Sequence, residues 1–247
     1  MESRGEKRYK SSYALLLPFR CIVFLLIFIV GAFAAGRQVK ELSSIWSPAA
    51  SAVNIVTIAL LVAAAKRSGM SCGELIGFTK GGRSVKKTIL AVILFAFVGM
   101  GGMYLSGLVC YGSVMPRVTL DIVAPVPLAL AVINLVVLPL TVAFAEDGLY
   151  LGLGVNSIKN KYACIVVPAF FYALQHCFIP TIFDVRYMVY RFLSFLPLTV
   201  LFCVHYRKKK DPVPIMAAHT LLDLATAMTI LITSSSQDIY QKMCDML

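Results

Sequence analysis

Charged residues are scarce in this sequence. Asp, Glu, Lys and Arg make up 14% of the 247 residues, whereas they form about a quarter of an ordinary soluble domain. Hydrophobic residues make up 59%. This balance excludes an ordinary soluble domain. It predicts a polytopic membrane protein, which we expect to be a single all-α integral domain over residues 1–247.

Several common signatures of metal and nucleotide sites are also missing. The sequence contains no H-E-x-x-H pair, no C-x-x-C pair and no Gly-rich phosphate loop. Most of the seven cysteines fall in apolar stretches, where free cysteine behaves as a small hydrophobe. We therefore expect neither a disulfide framework nor a zinc site built from cysteine.

The apolar residues form runs that are long enough to cross the hydrocarbon core of a bilayer. We predict seven spans, at about 13–35, 48–65, 88–111, 123–145, 162–180, 187–206 and 212–233. The segment 68–84 could lie in the membrane interface without crossing. The first run also has the basic start and the Ala32-Phe33-Ala34 site of a signal peptide, but we expect it to remain as a span.

The positive charges are concentrated in alternate connections. Most of the 23 Lys and Arg residues precede the first span or follow the second, fourth and sixth spans. Such an excess marks the cytoplasmic side of a membrane protein. It predicts seven crossings that start in the cytoplasm. Arg20 and Arg191 lie within spans, and the long side chain of Arg20 could reach the cytoplasmic surface.

Five titratable side chains interrupt the apolar runs. Glu146 and Asp147 end the fourth run, His176 lies in the fifth, and His219 and Asp223 lie in the seventh. An ionisable group at membrane depth is costly, so it usually faces a partner or a wet cavity. A shared active site is the simplest explanation for the whole set.

The spacing of these residues predicts which of them share a helix face. His219 and Asp223 are four residues apart, as are Tyr172 and His176, so each pair lies about one turn apart on one face. Tyr172 could therefore give His176 a hydroxyl neighbour.

Adjacent residues behave differently on a helix. Glu146 and Asp147 should diverge by about 100°. We therefore expect only one of these two carboxylates to point straight at a given partner.

Two hydrolytic chemistries need such a set. In the first, Glu146 takes a proton from water, one histidine assists, and another donor stabilises the oxyanion without a metal. In the second, a divalent metal such as zinc is held by Glu146, His176, His219 and Asp223 and activates the water. An ion-coupled transporter also uses buried carboxylates and histidines, but it often shows paired broken spans, and the sequence has no such repeat.

Three motifs carry a resemblance to a known family. They are Glu146-Asp147, Tyr172-x-x-x-His176 and His219-x-x-x-Asp223. They resemble the E-E-x-x-x-R, F-x-x-x-H and H-x-x-x-N/D motifs of the CAAX protease and bacteriocin-processing family, also called CPBP or Abi. The resemblance covers about 123–225, which would be a CPBP-like core.

The resemblance implies an intramembrane endopeptidase of the type that trims prenylated C-a-a-X tails. Bacterial relatives are linked to peptide processing and bacteriocin self-immunity. Glu146 and His176 would activate water, and His219 and Asp223 would stabilise the oxyanion or hold a metal. The partners would be a membrane-associated peptide or protein substrate and the lipid bilayer, not nucleic acid, and the location a bacterial cell membrane.

Some positions depart from these motifs. Asp147 replaces the second Glu, and Leu151 stands where the first motif has Arg. Asp147 and Tyr172 are expected to support the site rather than react. A catalytically silent bacteriocin-immunity protein that acts by binding is the alternative for a chain without the motif arginine. Because an ionised Asp would repel an oxyanion, we hypothesise that Asp223 instead accepts a hydrogen bond from His219 and orients it.

The depths of the candidate residues do not agree for simple upright helices. Counted from the cytoplasmic ends of the spans, His176 lies about 10 Å deeper than Glu146 and His219 at 1.5 Å per residue. The fifth span must therefore tilt, start below the bilayer, or be broken near Pro168.

Overall fold

The computed structural model describes residues 9–78 and 84–247, and every element in these ranges is a helix. The predicted all-α fold is confirmed. Several cations that contribute to the predicted charge asymmetry lie outside the described residues, namely Arg4, Lys7, Arg8, Lys80 and Arg83.

The described ranges contain ten α-helices. They are α1 (Phe19–Ala35), α2 (Val39–Ser43), α3 (Trp46–Arg67), α4 (Cys72–Ile76), α5 (Val85–Tyr111), α6 (Leu128–Val142), α7 (Ala163–Gln175), α8 (Val185–Lys209), α9 (Val213–Ser235) and α10 (Gln237–Met246). Two 3₁₀ helices precede α1 and α6, at Ser11–Leu16 and Arg117–Val123. A π-helix, Ala143–Val155, continues α6 without a break.

Six helical stretches in the described part of the chain are long and apolar enough to cross a membrane. They are Ser11–Ala35, Trp46–Arg67, Val85–Tyr111, Leu128–Val155, Val185–Lys209 and Val213–Ser235. Each overlaps a predicted span, so the predicted count of seven is close, although the fourth stretch extends to Val155 rather than ending near residue 145. The remaining span, predicted at 162–180, corresponds to α7. Its 13 residues extend only about 20 Å.

Non-helical chain lengthens this short element. Residues 176–184 form turns and an extended segment between α7 and α8. The buried Arg191 of α8 donates from Nε to the His176 carbonyl oxygen at 3.2 Å and from Nη2 to the Ile179 carbonyl oxygen at 2.7 Å. Irregular backbone at membrane depth persists only where the protein satisfies its polar groups. Arg191 therefore allows α7 to end early.

The π-helix lies at the centre of the bundle. Nearly all of its residues are buried, and the core cluster around it contains residues from α3, α4, α5, α7, α8 and α9. Within the segment predicted to lie in the interface, α4 buries Leu75 and Ile76 against this helix. A Cβ at Gly152 would be 2.9 Å from the Leu75 carbonyl oxygen, so only glycine permits this approach. Residues 79–83 of that segment lie outside the described ranges.

Helices α5 and α8 also approach closely, at a glycine. A Cβ at Gly102 would lie 2.5 Å from the Ser194 carbonyl oxygen. Small residues at such contacts allow membrane helices to pack backbone against backbone. Both helices line the same side cavity, so this contact fixes their relative position in its wall.

We predict that Gly102→Ala destabilises the protein. The added methyl group meets backbone, which can yield only if α8 shifts. Such overpacking should lower the free energy of unfolding by about 1–3 kcal/mol, measured by thermal unfolding in detergent. Gly101→Ala is the matched control, because a Cβ there meets nothing within 4 Å. An equal loss of stability in both variants would contradict the close contact.

Candidate active site

The two adjacent carboxylates lie on the π-helix and are almost inaccessible to solvent. Glu146 is 2% exposed and Asp147 is fully buried. Pro139 lies one turn before the π-helix and has no N–H, so it already interrupts the regular hydrogen bonding of α6. π-helical turns are rare and frequently occur at functional sites.

Glu146 is held by one cation and one amide. Its Oε1 accepts a hydrogen bond from Arg20 Nη2 at 2.7 Å, and its Oε2 accepts one from Gln175 Nε2 at 2.7 Å. Arg20 is fully buried, so the interpretation that it reaches the cytoplasmic surface is wrong. A buried charge is tolerated when it is paired and hydrogen-bonded, and Glu146 supplies that partner within the bundle.

Arg20 makes two further hydrogen bonds. Its Nε donates to Gln175 Oε1 at 2.6 Å, and its Nη1 donates to Thr57 Oγ1 at 3.1 Å. Tyr150 donates its hydroxyl to the same Gln175 oxygen at 3.2 Å. Arg20, Glu146 and Gln175 therefore form a closed ring in which each residue is hydrogen-bonded to the other two.

Both motif histidines lie beside the same carboxylate oxygen. Nε2 of His176 and Nε2 of His219 are each 3.8 Å from Oε2 of Glu146. The structure thus brings together residues from the fourth, fifth and seventh predicted spans. A separation of this size exceeds a direct hydrogen bond, and one water can bridge it.

His219 is surrounded by acceptors. On one side, Nδ1 is 3.0 Å from the Tyr172 hydroxyl oxygen and 3.4 Å from Asp147 Oδ2. On the other side, Nε2 is 3.2 Å from Asp223 Oδ2. Glu146 and Asp147 therefore both face His219, one toward each ring nitrogen. The expectation that only one of them could point at a given partner is wrong, because the imidazole lies between the two carboxylates.

The Tyr172 hydroxyl contacts a different histidine from the one that its spacing suggested. It donates to Asp147 Oδ1 at 2.8 Å and meets Nδ1 of His219, not His176. The reason is that the Tyr172 and His176 rings are nearly parallel, 6.3 Å apart at 20°, so the hydroxyl does not point toward the second ring. His176 instead stacks on Phe195, with ring centroids 3.5 Å apart.

Asp223 shares a helix face with His219, as its spacing predicts. Its side chain is 23% exposed. Its Oδ2 is close to His219 but has no partner with hydrogen-bond geometry among the described residues. The contact between the two residues is therefore mainly electrostatic.

For upright helices, the sequence placed His176 about 10 Å deeper than Glu146 and His219. The position at which α7 begins removes this difference. A Cβ at Gly154 would lie 3.2 Å from Pro168 Cγ, so these two residues are level. Glu146 precedes Gly154 by eight positions and His176 follows Pro168 by eight, which brings both to one depth. Helix α7 starts beyond the end of the π-helix and continues through Pro168 without a break.

A cavity of about 430 Å³ adjoins these groups. Tyr172, His176, His219 and Asp223 form its polar wall. The other lining residues are mostly apolar and come from α5, α8, α9, α10 and the Arg117–Val123 helix. The arrangement fits a site in which a few convergent polar groups act on an apolar ligand.

In this arrangement, Glu146, His176, His219 and Asp223 do not form a metal-binding site. Among the described residues, no group of three or more His, Cys, Asp or Glu side chains is arranged to hold a metal ion. Both oxygens of Glu146 already accept hydrogen bonds, and one of the donors is the guanidinium of Arg20. A metal at Glu146 would lie beside this cation.

Arg20 is a site residue that sequence reasoning missed. The sequence did indicate that Arg20 has a buried partner, because an arginine inside an apolar span is costly unless it is paired. The sequence could not show which of the acidic residues that partner would be. The contacts of Gln175 could not be predicted for the same reason, since its neighbours along α7 say nothing about α1.

One family model matches the C-terminal part of the chain. Residues 128–225 match the family model described as type II CAAX prenyl endopeptidase Rce1-like. The predicted resemblance to a CAAX protease family is confirmed for this segment, which holds the three motifs but not Arg20. No match was found among curated proteins or among solved structures.

We predict that Tyr172→Phe destabilises the protein. Asp147 Oδ1 would lose its donor in a buried site, and His219 Nδ1 would lose a neighbour. We expect a loss of about 1–3 kcal/mol, measured by thermal unfolding in detergent. Tyr104→Phe is the control, because Tyr104 lines the same cavity but takes no part in this network. Equal stabilities of the two variants would contradict the role of the hydroxyl.

Proposed function

We propose that this protein, whose residues 128–225 resemble type II CAAX prenyl endopeptidases, is a multi-pass intramembrane endopeptidase. It would hydrolyse a peptide bond in a membrane-associated peptide or protein. The observation that carries the proposal is the position of Glu146 Oε2, 3.8 Å from Nε2 of both His176 and His219. Both histidines also line the cavity.

In the proposed reaction, Glu146 and His176 hold a water between them. Glu146 Oε2 takes a proton from this water, and the water oxygen attacks the carbonyl carbon of the scissile bond. The carbonyl π electrons move to the oxygen, which becomes an oxyanion. When the oxyanion collapses, the C–N bond breaks and the proton passes to the departing amine.

His219 is the group that we assign to the oxyanion. Tyr172 and Asp147 engage Nδ1, whereas Nε2 lies at the wall of the cavity, 3.8 Å from Glu146 Oε2 and 3.2 Å from Asp223 Oδ2. The oxyanion role requires the imidazolium form of His219, in which both ring nitrogens carry a proton, and the surrounding carboxylates offset that charge. A donor placed in advance where charge develops is an effective way to stabilise a transition state. Asp223, whose Oδ2 lacks hydrogen-bond geometry to this nitrogen, would orient the imidazole by charge attraction at 3.2 Å and leave the Nε2 proton for the oxyanion.

The cavity and the charge pattern indicate the substrate and its location. The largely apolar lining suits a hydrophobic segment or a lipid-modified C-a-a-X tail rather than a charged peptide. The charge asymmetry supports a cytoplasmic N-terminus, and the bacterial cell membrane is part of the proposal through the resemblance alone. In this topology the reacting groups lie in the cytoplasmic half of the bilayer, and the cavity extends from them toward the outer side.

We predict that Glu146→Gln strongly reduces proteolysis. The amide cannot take a proton from water, so turnover should fall by about 10²–10⁴-fold. The measurement is comparative peptide profiling of membranes that carry the wild type or the variant at matched expression. Peptides that appear only with the wild type would also identify the substrate and the cleavage site.

Glu41→Gln is the matched control for this experiment, because Glu41 is exposed on α2. Its profile should equal that of the wild type. Identical profiles for the wild type and Glu146→Gln, with both proteins folded and abundant, would refute proteolysis in favour of a binding or transport role.

We predict that Asp223→Asn lowers turnover by about tenfold, equivalent to about 1.4 kcal/mol of transition-state stabilisation. The amide keeps the size of the side chain but lacks the negative charge through which Asp223 attracts His219. The assay is the initial rate on a substrate peptide identified by profiling. Full activity of this variant would exclude an obligatory carboxylate at position 223.

A further inference from the structure

The Glu146 carboxylate has two oxygens in different surroundings. Oε1 meets the guanidinium of Arg20, whereas Oε2 faces both histidines and accepts from Gln175. Rotation of the carboxylate would break the short contacts with both donors. The surroundings therefore hold Glu146 in one orientation.

Gln175 depends on Arg20 for its own orientation. Its Oε1 accepts from Arg20 Nε at 2.6 Å and from the Tyr150 hydroxyl at 3.2 Å. An amide that accepts with its oxygen must present its NH₂ group on the other side. In this structure that group faces Glu146 Oε2 at 2.7 Å. One guanidinium thus fixes Glu146 directly and a second time through Gln175.

The cation comes from an unexpected part of the chain. Leu151, at the place of the motif arginine, is fully buried among apolar residues. Arg20 lies on α1, outside the segment that matches the family model. The π-helix therefore receives its positive partner from another helix rather than from its own motif.

We propose that Arg20 and Gln175 are positioning residues, which hold Glu146 so that Oε2 is the oxygen that takes the proton from water. The proposal rests on the proposed peptidase function. It makes α1 a functional part of the site. It also gives a physical reason why the site can work without an arginine at position 151.

The test is steady-state kinetics of the full chain in proteoliposomes. The probe is an internally quenched peptide with a farnesylated C-a-a-X tail. Arg20→Gln should lower kcat by about 100-fold, because small misplacements of a reacting group cost this much. KM should change by less than about threefold, because Arg20 does not line the cavity.

Two further variants separate positioning from charge and folding. Arg20→Lys keeps the charge but cannot hold Glu146 and Gln175 in one planar fork, so kcat should lie about tenfold below the wild type. Arg37→Gln is the control, because this exposed arginine lies just beyond the other end of α1. Its kcat should equal that of the wild type.

The melting temperature provides a measurement that does not depend on activity. Arg20→Gln and Glu146→Gln should each lower the melting temperature, since each leaves the other charge buried and unpaired. The double variant should lose less than the sum of the two shifts, because it leaves neither charge unpaired. Strictly additive shifts would contradict the coupling between the two side chains.

The outcomes distinguish this proposal from the proposed function. An active wild type with unchanged kcat in Arg20→Gln overturns the positioning role alone. If Arg20→Gln does not fold, Arg20→Lys decides, because wild-type kcat in that variant overturns the role and a lowered kcat supports it. A folded wild type that cleaves neither this probe nor any membrane peptide overturns the proposed function and the positioning role with it.

Discussion

A charge inside an apolar helix bundle needs a partner, and this requirement organises the centre of the protein. Arg20 and Glu146 are both almost completely buried and lie 2.7 Å apart. Removing two charges from water costs free energy that only close pairing and additional hydrogen bonds can offset. Gln175 and Thr57 supply those bonds. The ion pair thereby fixes α1, α3, α7 and the π-helix relative to one another.

A second polar cluster is built on the neighbouring carboxylate. Asp147 meets Tyr172 and His219, and Asp223 approaches the same imidazole from its own helix. The two clusters meet at His219, which lies between Glu146 and Asp147. A substitution in one cluster should therefore alter the other. The effects of substitutions here on the free energy of unfolding are not expected to add.

The segment that resembles the protease family does not contain the whole site. This segment contains the π-helix, α7, α8 and the part of α9 that carries His219 and Asp223. Arg20 and Thr57 lie before residue 128. Motifs can be read from one segment because each reflects a local spacing on one helix. The partner of a buried charge is set by contacts between helices, which the motif does not describe.

The sequence by itself determined the membrane class, the approximate positions of six spans and the polar residues of the three motifs. The scarcity of charge follows from composition, and the lengths of the apolar runs follow from the order of the residues. His219 and Asp223 share a helix face because helical periodicity is a local property of the chain. Only the tertiary structure decided the early end of α7, the π-helical geometry and the burial of Arg20. The ring nitrogens that face Glu146 and Asp147 were decided there as well. Those features depend on which distant side chains satisfy buried polar groups, and spacing along the chain carries no information about that choice.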